Sequence, residues 1–270
     1  MEQLSFDPRP LVDVAVTVAR EAADLVLRTR HAAVTAQVDT KSTATDVVTA
    51  ADRASEQLVR DRLAVLRPGE PVIGEEEGGS AAVEGLTWVV DPIDGTVNYL
   101  YGLPWYSVSI AAQLDGVSVA GAVLEPVSGR VWTAARGHGS YLDGVRLGVS
   151  GATRLELSLI GYGFAYRPER RQRQATTWAA LSTRVRDIRR AGAASLDLCS
   201  VAAGWLDGYA EHALGRWDWA AGALVASEAG AVVRLPGEDP ELGADATFAA
   251  TPGIADNLRN ALVECDFGLV

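Results

Sequence analysis

Lysine is almost missing from this chain: of 24 basic residues only Lys41 is a lysine, and arginine supplies the rest. Cysteine is nearly as scarce. Cys199 and Cys265 cannot build a disulfide framework, and two isolated thiols do not make a zinc pattern. Both read as small buried or half-buried residues. Three histidines (His31, His138 and His212) are scattered along the chain, which leaves a histidine metal site or a Ser-His-Asp triad little to work with. Carboxylates are then the main groups available for chemistry. No apolar run reaches the roughly 18–20 residues that a membrane helix requires. The opening Met1-Glu2-Gln3 lacks the basic-then-apolar layout of a secretory signal, so a cytoplasmic location is expected.

What is present is the balance of a folded protein, with 270 residues, 48% hydrophobic and 22% charged. That length fits one large domain or two modest lobes sharing a core. A net charge of −11 argues against nucleic acid or an anionic membrane as the primary partner. An anionic substrate remains compatible with such a chain if bound cations reverse the local field.

Apolar residues at three-and-four spacing predict a helix over residues 10–30 (Leu11, Val14, Val18, Ala22, Leu25, Val26). Residues 40–50, rich in Thr and Ser, read as a loop. A second helix carries Leu58, Leu63 and Leu66 and stops at Arg67-Pro68-Gly69. Pro71 to Gly74 predicts a short strand, and Thr87 to Val90 a buried strand that ends abruptly at Asp91-Pro92. Asp115-Gly116 marks a hairpin between Val108–Gln113 and Val117–Leu124. Further strands are expected over 130–135, 139–142, 157–161, 185–189, 207–211, 231–234 and 246–250, with helices over 170–185, 195–204 and 218–229. A composition shift at 147–152 predicts a boundary between lobes 1–147 and 148–270. Helices alternating with mostly antiparallel strand signals point to layered α and β, not to a Rossmann sheet.

Asp91 and Asp94 stand three residues apart at a strand end stiffened by Pro92. Two carboxylates on a rigid turn can flank or bridge a hard cation such as Mg²⁺. Gly95-Thr96 follows, where small residues opening a helix leave backbone N–H groups for a phosphate, and the Thr96 hydroxyl can orient a water. An Asx turn with a helix cap accounts equally well for the bare Asp-x-x-Asp-Gly-Thr pattern. Phosphatases that form an aspartyl-phosphate carry Asp-x-Asp, so water is the nucleophile that this spacing favours. Taken singly, Glu75 and Glu76 fit a solvated turn, Asp52 a helix surface, and Asp218 a helix cap. The basic run Arg167–Arg173 is read as a solvated helix face, with a second phosphate contact as the alternative.

In order along the chain, these segments resemble the inositol monophosphatase family. The resemblance rests on Trp88-Val-Val-Asp-Pro-Ile-Asp-Gly-Thr-Val-Asn98 and Trp217-Asp-Trp-Ala-Ala-Gly222, supported by Lys41 to Asp52, Ile73-Gly-Glu-Glu76, Arg190 to Ser195 and Tyr209-Ala-Glu211. It spans about residues 10 to 255 and is most like bacterial inositol-1-monophosphatases. It implies an α+β fold, a layered αβαβα sandwich of two lobes, as a homodimer with the site between the lobes.

The resemblance further implies that Glu75, Asp91 and the Ile93 carbonyl hold one Mg²⁺, and that Asp91, Asp94 and Asp218 hold a second, with a third near Glu75. Asp52 and Thr96 would pair to orient the nucleophilic water, and Gly95 and Thr96 would donate backbone N–H groups to the phosphate. Ala193, Ala194, Glu211 and Asp218 would line the alcohol pocket, and Lys41 would lie on a loop that closes over it. The implied reaction is hydrolysis of inositol 1-phosphate with lithium sensitivity. Histidinol phosphate and other small monoesters or bisphosphates are the alternative substrates. Relatives that interact with transcription machinery leave a non-catalytic regulatory role as another reading.

Overall fold

The structure, a computed structural model, describes residues 6–33, 39–40, 47–48, 50–79 and 84–270. Helix α1 (Arg9–Ala33) is followed by strands β1 (Asp39–Thr40) and β2 (Val47–Val48), helix α2 (Ala50–Leu66), and strands β3 (Val72–Gly74) and β4 (Leu86–Asp94). The short helix α3 (Thr96–Tyr101) leads into β5 (Ser107–Leu114), β6 (Val117–Leu124), β7 (Val131–Ala135), β8 (Gly139–Leu142) and β9 (Val145–Arg146). Then come β10 (Leu159–Tyr162), α4 (Pro168–Leu181), β11 (Asp187–Arg189), α5 (Ala194–Ala202) and β12 (Gly208–His212). The chain finishes with α6 (Arg216–Glu228), β13 (Val232–Arg234), β14 (Ala246–Ala250) and α7 (Ala255–Glu264).

Strands β3 to β9 form a seven-stranded sheet in sequence order, and β11-β10-β12-β14-β13 form a five-stranded sheet. The larger sheet is antiparallel except for the β3–β4 pair. The smaller is mixed, with β10 parallel to both β11 and β12. Helices α1 and α2 cover one face of the larger sheet, and α5 and α6 lie between the two sheets. Helices α4 and α7 complete the stack outside the smaller sheet. The order is therefore α, β, α, β, α, the layered α+β sandwich that the resemblance implies.

Each layer follows from local patterning. In α1, Leu11, Ala15, Val18, Ala22 and Val26 repeat every three or four residues and are fully or almost fully buried. Strand β4 is instead covered on both faces, and from Thr87 to Asp94 every residue is buried. Such a strand carries a continuous apolar run, not an alternating one. Trp88 within it is fully buried, and its indole N–H donates to Glu70 Oε2 at 2.7 Å. The β5–β6 turn places both Asp115 (φ 51°) and Gly116 (φ 84°) in the left-handed region, as a two-residue type I′ hairpin demands.

Three differences from the sequence expectations have physical causes. Strand β4 does not end at Asp91-Pro92. It pairs Asp91 with Ser109 and then Asp94 with Ser107, so one extra residue is absorbed in a β-bulge at the proline, which has no N–H to contribute. The expected loop over 40–50 contains a short antiparallel pair, Asp39 opposite Val48 and Thr40 opposite Val47, while Lys41 lies outside the described residues. Helix α7 goes beyond the expected elements; it is short, and its buried face is only Ala255, Leu258, Ala261 and Leu262.

The middle helical layer sits close to the larger sheet. A Cβ at Gly121 of β6 would come within 3.1 Å of the Ala221 Cβ of α6, a distance that requires small residues on both sides. Replacing Ala221 with leucine is expected to overpack this seam and cost about 1–3 kcal/mol, read as a lowered urea midpoint with an unchanged slope.

Candidate active site

The bulge in β4 decides the geometry of the site. In a regular strand, residues three apart point to opposite faces. The extra residue between Asp91 and Asp94 brings both carboxylates to one side, where Asp218 of α6 joins them. One carboxylate oxygen from each of the three lies within 4.8 Å of the others. Asp91 is 1% exposed and Asp94 6%. The Ile93 N–H donates to Asp91 Oδ1 at 3.0 Å, so the Asx turn and the carboxylate cluster are both present in the same residues.

Each aspartate is fixed by a different device. Asp94 caps α5 from outside: Ala194 N–H donates to its Oδ1 at 3.2 Å, and Ser195 donates to its Oδ2 through N–H at 2.7 Å and through Oγ at 2.5 Å. Ser195 Oγ also lies 2.8 Å from Ser107 Oγ. Asp218 stands at the third position of α6, where its Oδ2 accepts the Gly215 N–H at 2.5 Å. It therefore closes the helix start from within the first turn and is not itself the cap residue.

Thr96 opens α3 directly after Gly95. Its Oγ1 lies 3.1 Å from Asp52 Oδ1 and 3.0 Å from the Ile93 carbonyl oxygen, and Asp52 is fully buried. As a lone helical residue Asp52 passes for a surface group; the structure corrects that, because α2 turns its first acidic residue into the core beneath the bulge. Gly95 has φ 91°, and a Cβ there would crowd Ala193, the Gly192 carbonyl and the Trp105 carbonyl, each at 3.2 Å. No other residue satisfies both the conformation and the space.

The three aspartates line a cavity of about 520 Å³ between the two sheets, and Asp52 lies behind Thr96, outside its lining. Glu75, Ile93, Gly95, Thr96, Ala194 and Glu211 share its wall with the three aspartates. Ala193 is buried beside Gly95 and lies outside the lining. Of the basic run, Arg167 and Arg170 reach the cavity, so it is not wholly a solvated face. Arg170 forms a two-pronged pair with Asp245 at 2.6 and 2.7 Å, and Asp245 also meets His212 Nδ1 at 2.9 Å. Two further residues of the site, Ser195 and Asn98, have no role that their local sequence announces. The Asn98 amide joins α3 to the 191 turn by donating to the Trp105 carbonyl at 2.7 Å and the Ala191 carbonyl at 2.9 Å. Both act across gaps of about ninety to a hundred residues, which no local pattern reveals.

Burial and crowding shift the carboxyls together. Burial pushes Asp91 well above the usual range, and the charges of Glu75, Asp94, Asp218 and Asp52 push it further. Asp218 rises for the same reasons, burial first, then Glu75 and Asp94. Burial lifts Asp94 to about 6 against the pull of its Ser195 and Ala194 donors and the Arg190 charge. Desolvation lifts Glu211, which is half-buried and accepts the Tyr209 hydroxyl at 2.5 Å, to about 7. An all-oxygen cluster held in this state suits a hard divalent cation, which would replace protons as the compensating charge.

The match to the inositol monophosphatase family model runs over residues 7–266. The chain belongs to that family. An inositol-1-monophosphatase of Mycobacterium leprae is 52% identical over 275 residues, covering 95% of this chain and 94% of the relative. The Nus factor SuhB of Pseudomonas aeruginosa is 41% identical over 83% of this chain and 85% of its own. Among solved structures, Mycobacterium tuberculosis SuhB superposes with a TM-score of 0.83 at 44% identity, covering 98% of this chain and 99% of that one. The family is one of phosphatases, and among the described residues no helix is long and apolar enough to cross a membrane.

The raised carboxyls predict a sign for the pH dependence of stability. Asp94 at about 6 and Glu211 at about 7 hold protons that the unfolded chain, at its ordinary 3.8 and 4.5, would already have released. Their contribution is thus present at low pH and lost as pH rises through about 6 to 7. Chelator-treated protein is expected to melt at least about 2 °C lower near pH 7.5 than near pH 5. Calorimetric scans at the two pH values check this; an equal or higher Tm near pH 7.5 would mean that the carboxyls ionise without penalty.

Proposed function

We propose that this protein is a Mg²⁺-dependent phosphate monoester hydrolase whose substrate is inositol 1-phosphate. The observation that carries the reading is the convergence of Asp91, Asp94 and Asp218 within 4.8 Å, next to a Thr96–Asp52 hydrogen bond of 3.1 Å. Glu75, Asp91 and the Ile93 carbonyl would hold one ion, and Asp91, Asp94 and Asp218 a second, with Asp91 shared. When bound, such ions acidify water, neutralise phosphate charge and stabilise the departing alkoxide.

The chain's own groups then divide the remaining work. The Thr96 hydroxyl is hydrogen-bonded to Asp52 as donor, which leaves its oxygen free to accept a hydrogen bond from a water. As that water oxygen bonds to phosphorus, its proton passes to Thr96 Oγ1 and the Thr96 proton to Asp52. The phosphorus–alcohol bond breaks, the alcohol oxygen leaves with the bonding pair and takes a proton from solvent, and Asp52 returns its proton to solvent. Backbone N–H groups at Gly95 and Thr96 hold the phosphate oxygens. Glu211 on the cavity wall accepts a hydrogen bond from a hydroxyl of the polyol, and Ala194 beside it leaves room for the ring, with Ala193 behind the wall. We take residues 1–147 and 148–270 as two lobes meeting at this site, and the active species as a lithium-sensitive cytoplasmic homodimer.

The Mycobacterium leprae inositol-1-monophosphatase supports the choice of alcohol. Histidinol phosphate and other small monoesters or bisphosphates are the competing substrates. The kinship with a Nus factor favours a second reading, a family member that serves a protein partner and need not hydrolyse anything. Calorimetric Mg²⁺ titration separates the two, because a non-catalytic relative has no need of the ion.

Asp94→Asn or Asp218→Asn is expected to lower phosphate release at least ~10²-fold and to weaken Mg²⁺ binding. Unchanged activity in either variant would sink the assignment. Thr96→Val is expected to lower kcat by about 10²–10⁴-fold with Mg²⁺ affinity retained, measured by steady-state kinetics beside calorimetry. A phosphate-release panel tests the alcohol: a better kcat/KM for histidinol phosphate than for inositol 1-phosphate overturns that choice.

A further inference from the structure

Helix α2 carries more than Asp52. Glu56 and Arg60 follow it at four-residue spacing, so the three share one stripe of the helix. Glu56 is fully buried, yet nothing in the proposed chemistry uses it. Its carboxylate lies inside the turn that follows β3. The Glu76 N–H donates to Oε2 at 2.7 Å and the Glu77 N–H to Oε1 at 3.1 Å. The same turn is closed by the Gly74 N–H donating to the Gly78 carbonyl at 3.0 Å. Successive N–H groups pointing inward make an anion-binding concavity, and here the anion is a side chain of the protein itself.

Arg60 locks the arrangement from the other side. Its Nε and Nη2 donate to Glu56 Oε1 at 2.9 and 2.7 Å, its Nη1 to the Val72 carbonyl at 3.1 Å, and its Nη2 to the Gly78 carbonyl at 2.7 Å. It also lies 3.3 Å from Glu77 Oε2. One guanidinium thus ties α2 to both ends of the turn and supplies positive charge where Glu56, Glu75, Glu76 and Glu77 crowd together. Gly74 is fitted to the same purpose, because a Cβ there would overlap the Glu56 carboxyl group.

The residue carried by this anchored turn is Glu75, which lines the cavity and whose charge reaches Asp91 and Asp218. We infer that Glu56 and Arg60 are positioning residues for Glu75, holding its backbone from beneath so that its carboxylate meets the aspartate cluster in one fixed place. The inference rests on the reading of Glu75 as an ion ligand. It extends the site to a layer of α2 that touches neither ion nor substrate. It also makes α2 a common base, with Asp52 under Thr96 and Glu56 under Glu75.

Calorimetric Mg²⁺ titration of the full chain tests it, using wild type, Glu56→Gln and Arg60→Lys. Glutamine in place of Glu56 offers one acceptor oxygen where two N–H groups need one each. Lysine in place of Arg60 keeps a positive charge but cannot reach the Val72 and Gly78 carbonyls together. Either change is expected to weaken Mg²⁺ binding about 10- to 100-fold, with kcat recovering at saturating Mg²⁺. That split between activation constant and kcat is one that a general loss of fold would not produce. No Mg²⁺ binding by wild type would overturn the reading of the metal site. Normal binding by wild type and by both variants, or a lower Tm with unchanged Mg²⁺ affinity, would overturn the role of Glu56 and Arg60 alone. Should Glu56→Gln fail to fold, Arg60→Lys carries the same comparison.

Discussion

Side chains alternate along a strand, so two aspartates three positions apart should face opposite sides of a sheet. The bulge at Pro92 cancels that alternation by setting three steps of β4 against two of β5, from Asp91–Ser109 to Asp94–Ser107. Everything else in the cavity is arranged around the result. Thr96 begins its helix two residues past the shifted position, its hydroxyl within reach of Asp52, and the N-terminus of α5 meets Asp94. A proline is well suited to this place, since the ladder has no use for an N–H where the register slips.

Gathering carboxylates in this way is unfavourable by itself, and the fold offsets it unevenly. Asp94 receives three donors from Ala194 and Ser195 and rises only to about 6, whereas Asp91 receives the Ile93 N–H and is pushed well above the ordinary range. Asp218, which likewise receives one N–H, from Gly215, is also pushed well above that range. Strain of this kind is common where a protein keeps charge in readiness for a ligand. The supporting contacts beneath are hydrogen bonds accepted by buried carboxylates of one helix, Asp52 from the Thr96 hydroxyl and Glu56 from the N–H groups of the Glu75 turn.

Much of this was legible in the sequence because it is written locally. The three-and-four spacing of α1, the Asp115-Gly116 hairpin and the carboxylates of Trp88–Asn98 and Trp217–Gly222 are all short-range signals, and the family resemblance joined them in order. What stayed hidden is long-range or depends on register. Nothing near Pro92 says that the strand resumes after it, since that is decided by Ser107 and Ser109 on the neighbouring strand. Ser195 and Asn98 reveal their roles only when the layers stack. Glu56 looks like any acidic residue on an amphipathic helix until the turn around Gly74 closes over it.

Asp94 illustrates what the layering means for a chain emerging from the ribosome. The donors that hold its carboxylate come from residues 100 and 101 positions later, on a helix that lies between the two sheets. Synthesis runs N-terminal end first, so the larger sheet can pair before those donors exist. Until α5 docks, β4 must leave Asp94 either hydrated at an open face or protonated. The larger sheet therefore cannot seal its inner face alone, and its closure waits on the second half of the chain.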